Sequence, residues 1–268
     1  MILLGTAGFS YADWRGVLYP DALPARDMLA FYATRFSAVE LDFTYYRMPT
    51  AATLGSMARR TPPGFEFCVK AFRGMTHELP EDPGDIPATF HQFLEALRPL
   101  HDNGKLGCVL LQFPWAFRCG GDSREYLETC AELLRDVPTV VEFRNSEWVA
   151  DPVREDVLGD LRRMGFGFCA VDEPRLKGLM PPLAATTSPI GYVRFHGRNA
   201  AKWWKHEAAS ERYDYLYTAA ELSEWTGKIE RLAQETDKTY VFFNNCHAGH
   251  AATNAAMMAG LLGLDPES

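Results

Sequence analysis

The feature that most constrains this chain is a short apolar run that recurs along its length and ends each time in a polar or charged side chain. Seven such runs occupy residues 39–42, 67–70, 109–112, 140–144, 169–172, 193–196 and 241–245, and an eighth, residues 2–4, ends in Gly5 and Thr6. Short apolar runs bounded by turn residues are typical of strands buried on both faces in a parallel sheet. Polar residues confined to the final positions predict that all the strand ends meet in one place.

Helical patterns lie between these runs. Phe90, Phe93, Leu94 and Leu97 form one apolar stripe, and Thr218 with Glu221 fits a capping box. Alternating strands and helices are required by a parallel barrel and by a doubly wound sheet. Eight strand candidates, without a glycine-rich phosphate loop after the first, favour the barrel. We therefore predict an α/β fold, a (β/α)8 TIM-type barrel forming a single domain over residues 1–268, with its active site at the C-terminal mouth of the strands.

Composition narrows the class of protein. Hydrophobic residues make up 47% of the chain and charged residues 23%, which is ordinary for a globular domain. We expect no association with membranes, because no apolar run approaches the roughly 20 residues that a membrane helix needs. The first residues lack the basic region of a signal peptide, so we expect a cytoplasmic protein. A net charge of -8 argues against a general nucleic-acid coat.

The polar ends of the runs supply the candidate catalytic and binding residues. Side chains two apart share a strand face, which pairs Glu142 with Arg144 and Arg194 with His196. We predict Glu142 as general base, with His196 or Asp172 as its acid partner. The predicted substrate-binding residues at these ends are Glu40, Lys70, Gln112, Arg144, Arg194 and Asn244. Within that set, the three cations would hold an anion and the two amides would orient it.

A structural alternative uses the same residues. Glu142 could pair with Arg194, and Asp172 with Lys70, only to satisfy charges inside the barrel. The leading interpretation remains an enzyme that acts on a small anionic or phosphorylated substrate by acid–base chemistry. Hydrolysis, isomerisation and elimination all stay open, as does the oligomeric state.

Two long connections, residues 7–24 and 197–217, are rich in aromatic side chains, and we interpret both as walls or lids over the mouth. Trp203 and Trp204, flanked by Lys202 and Lys205, combine stacking faces with cations. We predict both tryptophans as substrate-binding residues, although one could instead pack the lid onto the barrel. The same segment supports a second class of function, a non-catalytic module for a nucleotide or single-stranded nucleic acid.

Several histidines suggest a third class of function. His247 and His250 follow the last run and could join His196, Asp172 and Glu142 as nitrogen and oxygen ligands of a metal ion. That arrangement would make the protein a metal-assisted phosphodiesterase or a DNA-repair-like enzyme. Two histidines three apart in a loop are a weak metal signal, so we predict no metal site and no cofactor, with a divalent metal as the lesser alternative.

Several motifs together resemble one family across nearly the whole chain. They are residues 5–11 (GTAGFSY), 44–47 (TYYR), 62–65 (PPGF), 112–114 (QFP), 141–144 (VEFR), 194–198 (RFHGR) and 243–245 (FNN). In this order they resemble the DUF72 family, also called YecE-like proteins. The resemblance implies a (β/α)8 barrel and leaves the activity open. It also implies that the recurrent polar positions of the family are Glu40, Lys70, Gln112, Glu142, Arg144, Arg194, His196 and Asn244.

Overall fold

The computed structural model describes residues 1–264, apart from the side chains of Ala209 and Ser210. Its centre is one sheet of eight parallel strands in the order β1-β8-β7-β6-β5-β4-β3-β2. The strands are Ile2–Thr6 (β1), Ala38–Leu41 (β2), Glu66–Lys70 (β3), Leu106–Gln112 (β4), Thr139–Glu142 (β5), Gly167–Asp172 (β6), Ile190–Phe195 (β7) and Lys238–Phe243 (β8). Each apolar run of the sequence is one of these strands.

Helices fill most of the connections. They are Met28–Tyr32 (α1), Phe43–Tyr46 (α2), Ala51–Arg59 (α3), Ile86–Asp102 (α4), Gly121–Leu133 (α5), Arg154–Met164 (α6), Ala219–Glu235 (α7) and His250–Leu261 (α8). The stripe predicted from Phe90 lies on α4. The predicted capping box begins α7, where the Thr218 side chain accepts from the Glu221 N–H and the Glu221 carboxylate accepts from the Thr218 N–H.

The two end strands of the sheet, β1 and β2, bring the barrel close to closure. They share one isolated parallel bridge, Ala7 to Glu40, and the Gly8 N–H donates to the Glu40 carbonyl at 2.8 Å. Gly5 makes the approach possible, because a Cβ there would lie 2.0 Å from the Ala38 carbonyl oxygen. The predicted (β/α)8 TIM-type barrel is confirmed.

Two connections depart from a strict alternation of strand and helix. Both α2 and α3 lie between β2 and β3, whereas the described residues 173–189 join β6 to β7 without a helix. Short 3-10 helices begin or interrupt several loops at the mouth, among them Arg73–Met75, Ser146–Val149 and Ala209–Tyr213. Among the described helices, none is both long enough and apolar enough to cross a membrane.

Candidate functional site

A buried ionic cluster fills the upper part of the barrel, with Glu142 at its centre. Arg144 Nη1 donates to Glu142 Oε1 at 2.8 Å, and Arg194 Nη1 donates to Oε2 at 2.5 Å. Burial is the largest influence and disfavours the charged form of this carboxylate, but Arg194, His196 and Arg144 together outweigh it and hold the pKa of Glu142 well below its usual value. Glu142 is thus a permanently charged anchor for two arginines.

Arg194 links that anchor to a second carboxylate on the far side of the barrel. Its Nη2 donates to Glu40 Oε1 at 2.6 Å, and the Tyr192 hydroxyl donates to Glu40 Oε2 at 2.6 Å. Burial raises the pKa of Glu40 to about 7, although Arg194 opposes the shift. Both terminal nitrogens of Arg194 are occupied by carboxylates and its side chain is 1% exposed, so it offers no free face to a ligand.

His196 lies beside the same anchor. Its Nε2 is 2.8 Å from Arg144 Nη1 and 3.0 Å from Glu142 Oε1, and its Nδ1 is 3.1 Å from Asn244 Nδ2. Burial, followed by the charge of Arg144, lowers the pKa of His196 to about 3, so the ring is neutral at physiological pH. Together, Glu142, His196 and Asn244 hold Arg144 in place.

A cavity of about 280 Å³ opens above the cluster, at the C-terminal mouth of the strands. The residues that line it come from the connections after six different strands and are Tyr45, Tyr46, Lys70, His77, Gln112, Pro114, Trp115, Arg144, Leu179, Trp203, Trp204, Arg212 and Tyr213. Three of these side chains are cations. Within the described part of the chain, no carboxylate is among the lining residues.

Aromatic rings lie beside all three cations, and Arg144 alone of the three is also paired with a carboxylate among the described residues, that of Glu142. Lys70 Nζ lies 4.6 Å from the centroid of the Tyr45 ring. The guanidinium carbons of Arg144 and Arg212 lie 5.6 and 5.5 Å from the Trp203 centroid. Such contacts stabilise a cation without neutralising its charge, so the positive charge stays available to a ligand.

One lining side chain, His77, is an imidazole that the cavity keeps neutral. Its Nδ1 lies 2.9 Å from Thr76 Oγ1, and its ring packs against Tyr45. Burial, with the charges of Lys70 and Arg144, lowers the pKa of His77 to about 4. The imidazole at the cavity wall is therefore neutral at physiological pH.

Five of the sequence-predicted residues line this cavity, and five others lie in the cluster beneath it. The lining residues are Lys70, Gln112, Arg144, Trp203 and Trp204. The cluster beneath contains Glu40, Glu142, Arg194, His196 and Asn244. The expectation that Arg194 holds an anion conflicts with this geometry, because the arginine is enclosed by the two carboxylates.

The structure corrects the predicted position of Asp172, because this residue lies neither at the cavity nor in the cluster. Its oxygens accept from Arg198, from the Tyr217 hydroxyl at 2.7 Å and from Trp225 Nε1 at 2.7 Å, on the side of β6 that faces α7. Burial is the largest influence and opposes its ionisation, but Arg198, Tyr217 and Trp225 together outweigh burial and lower the pKa of Asp172. Asp172 joins α7 to the barrel, and its hydrogen-bond partners do not include Glu142.

Glu173, which sequence reasoning missed, occupies the place expected of Asp172. Its carboxylate is fully buried, and its Oε2 lies 3.6 Å from Arg144 Nη2. The signal was available, because alternation along β6 puts Cys169 and residue 173 on the inner face and Asp172 on the outer one. The other missed residues, His77, Trp115 and Arg212, lie in loops where no strand period applies.

The set of metal ligands predicted as an alternative is dispersed. His247 and His250 lie outside the cluster, 3.8 and 3.6 Å from the oxygens of Asp214, while Asp172 faces α7. Among the described residues, no three His, Cys, Asp or Glu side chains come together in a way that could hold a metal ion.

The loop over residues 197–217 does form a wall of the cavity, but its two tryptophans differ. Trp203 is 1% exposed and is packed between arginines and Tyr213, whereas Trp204 is 52% exposed and meets the Trp115 ring edge-on at 6.0 Å. Lys202 is paired with Glu211 at 2.8 Å. Only Trp204 of the two therefore presents a free ring face to solvent.

Comparison with known proteins agrees with this architecture. The family model described as "Protein of unknown function DUF72" matches residues 3–268. A curated relative, the UPF0759 protein YunF of Bacillus subtilis (strain 168), is 34% identical over 273 residues, which cover 99% of this chain and 96% of that protein.

Solved structures give the same result. A DUF72 family protein (TM1631) from Thermotoga maritima MSB8 has a TM-score of 0.88 and 38% identity, covering 98% of this chain and 99% of its own. A DUF72 family protein (EF0366) from Enterococcus faecalis V583 has a TM-score of 0.88 and 29% identity, and the match covers 99% of this chain and 96% of that one. Since the match extends over nearly the full length of each partner, the chain belongs to the DUF72 family.

Proposed function

We propose that this protein is an enzyme that binds a small anionic or phosphorylated substrate in the mouth cavity and acts on it by acid–base chemistry. The observation that carries the proposal is the cavity wall itself, where Lys70, Arg144 and Arg212 meet without a lining carboxylate among the described residues. Arg144 shares its charge with Glu142 beneath it, whereas Lys70 and Arg212 have no carboxylate partner among the described residues, and converging cations of this kind attract an anion. Arginine in addition matches the oxygens of a phosphate or carboxylate in pairs.

The size and the walls of the cavity restrict the substrate. A volume of about 280 Å³ lies at the lower end of the range for small-molecule sites. Tyr45, Tyr46, Trp115 and Trp204 supply flat apolar faces beside the cations. We infer a substrate that carries one anionic group on a ring or sugar, with Gln112 hydrogen-bonding its polar edge.

Acid–base chemistry needs a group that reaches the substrate, and His77 has the better position. Glu142 lies below Arg144, and a carboxylate whose pKa is held low is a poor base. Burial is the largest cause of the low pKa of His77, and Lys70 and Arg144 add to it, so a bound anion that offsets these two charges would move that pKa upward. We therefore assign His77 as the acid–base group and Glu142 as a positioning residue.

One observation favours a second candidate, a binding module for nucleotides. The free ring of Trp204 and the Trp115 edge form a stacking surface at the rim of the cavity. Bases stack on such surfaces with little sequence preference. Under this alternative the ligand is bound and released without turnover.

The first test is ligand binding to a cavity variant. Removing the charge in Lys70→Gln should weaken the binding of sulfate and of phosphate monoesters roughly tenfold to a hundredfold, the usual effect of losing a charged hydrogen bond. Isothermal titration calorimetry measures this directly. Lys205→Gln is the matched control, because it removes the same charge from an exposed lysine outside the cavity lining and should bind as the wild type does.

The second test separates enzyme from binding module. A panel of phosphate monoesters and small carboxylates is assayed for turnover with the wild type and with His77→Gln. Turnover that His77→Gln abolishes, with binding retained, supports the enzyme. Tight nucleotide binding without turnover of any panel member, lost in Trp204→Ala, would replace the enzyme with the binding module. Equal sulfate affinity in wild type and Lys70→Gln would remove the anion site altogether.

A further inference from the structure

Arg144 occupies a position between the buried cluster and the cavity. Its Nη1 is fixed by Glu142 Oε1 at 2.8 Å, while its Nη2 has no hydrogen-bond partner closer than a 3.6 Å contact with Glu173 Oε2. The same guanidinium lines the cavity. One end of Arg144 is therefore anchored, and the other end lies between Glu173 and the space that a ligand would occupy.

Glu173 is an incompletely satisfied buried carboxylate. Its Oε1 accepts from the Met180 N–H at 2.8 Å, but its Oε2 is buried without a hydrogen-bond partner. The charged groups that face it are Arg144 and Glu142, from the connection after β5 and from β5, and Asp172, its neighbour in sequence. An ionised carboxylate in this place needs a closer approach by Arg144, whereas a protonated one does not.

We propose that Glu173 is a positioning residue that couples proton uptake to anion binding through Arg144. When its carboxyl group is ionised, Oε2 attracts Nη2 of Arg144 and competes with the ligand. When a proton from the solvent adds to Oε2, the competition ends and Nη2 is free to donate to the anion. The inference rests on the anion-binding function proposed above and deepens it.

The direction of the effect follows from linkage. Burial, against the charge of Arg144, raises the pKa of Glu173 to about 7, so the group titrates in the physiological range. Below that value the carboxyl is neutral and anion binding is strong, and above it binding weakens. By reciprocity, a bound anion makes Glu173 take up a proton.

Sulfate is the probe, because it keeps two negative charges across this range and takes up no proton itself. Titrations at about pH 6 and about pH 8 bracket the pKa of Glu173. We expect the affinity of the wild type to fall by up to about tenfold between them, as the competent fraction falls. Titration at about pH 7 in two buffers of different ionisation enthalpy should show net proton uptake on binding.

The decisive variant is Glu173→Gln, which keeps the shape and removes the titration. It should bind sulfate with a smaller change in affinity between the two pH values and with less proton uptake than the wild type, and in the His77→Gln background it should show neither. Glu147→Gln is the matched control, because Glu147 is an exposed carboxylate paired with Arg118 near the same mouth and should behave as the wild type does. Glu173→Met serves the same purpose if Glu173→Gln does not reach the native circular dichroism spectrum.

The possible failures are distinguishable. Undiminished pH dependence and proton uptake in Glu173→Gln would overturn the role of Glu173 while leaving the anion site intact. Uptake that disappears only in His77→Gln would assign the proton to that histidine instead. No sulfate binding by wild type or control at either pH would overturn the anion-binding function, and this inference with it.

Discussion

At the scale of single residues, the cluster around Glu142 shows how burial changes the meaning of a charge. Glu142 is fully buried, and both of its oxygens accept from arginine. The free-energy cost of desolvating such a carboxylate is offset only while its partners remain in place. The position that looked like a general base in the sequence is thus also a structural requirement for the two arginines.

This reasoning predicts that Glu142→Gln unfolds at markedly lower urea concentration than the wild type. An amide cannot neutralise Arg144 and Arg194, so two buried cations lose their common counter-charge. The free energy of unfolding should fall by about 3 kcal/mol or more. Glu147→Gln, which disrupts only an exposed pair, should change it by less than about 1 kcal/mol. Unchanged stability of Glu142→Gln would return Glu142 to a purely catalytic role.

At the scale of elements, Asp172 fastens α7 to the strands beneath it. The Trp225 indole on α7, the Tyr217 hydroxyl just before that helix and Arg198 after β7 all donate to the same carboxylate. With a further hydrogen bond from Arg175, the carboxylate accepts five in all, which makes this buried side chain a junction between segments far apart in the chain. The wall of the cavity that precedes α7 is held in place through this junction.

Asp172→Asn should therefore be less stable but should still bind anions. The asparagine loses the charge that Arg198 needs and presents an N–H group to donors, which should lower the free energy of unfolding by about 3 kcal/mol. Sulfate affinity at a temperature where the variant is folded should match that of the wild type. Asp151→Asn is the control, because Asp151 is strongly exposed and, among the described residues, pairs only with Arg154 at the surface. A selective loss of sulfate affinity or of turnover with normal stability would contradict the structural assignment.

At the scale of the whole molecule, the barrel depends on the close approach of β1 and β2. These strands are joined by one bridge instead of a full ladder, and Gly5 packs directly against the backbone at Ala38. This contact between β1 and β2, the seam of the barrel, is therefore the part of the sheet with the least backbone pairing and the tightest steric requirement.

A methyl group at Gly5 should open this seam. Since a Cβ would lie 2.0 Å from the Ala38 carbonyl oxygen, Gly5→Ala forces β1 away from β2 and should lower the free energy of unfolding by about 3 kcal/mol or more. Gly159→Ala is the matched control, because its Cβ meets no atom within 4 Å on α6 and should stabilise the helix by roughly 0.5 to 1 kcal/mol. Equal melting temperatures for the two variants would show that the seam tolerates separation.

The positions of site residues could be predicted from the sequence only where the alternation of side chains along a strand applied. Strand period and polar ends located Lys70, Gln112, Glu142, Arg144 and His196 correctly at one mouth. The same period, applied to the whole of β6, separates Asp172 from Glu173 and would have chosen the second. His77 and Arg212 follow no period, because their loops take their paths from contacts with other segments.

The sequence by itself determined the barrel and the end at which its polar residues gather, because apolar runs of strand length leave few ways to bury both faces. Only the tertiary structure decided which side chains reach the cavity. That choice depends on the face of each strand and on distances between segments far apart in the chain. Arg194 is enclosed by Glu40 and Glu142, while Arg144 keeps one end free beside Glu173. Two arginines placed two strands apart thus have different surroundings, because packing fixes how closely the carboxylates approach each of them.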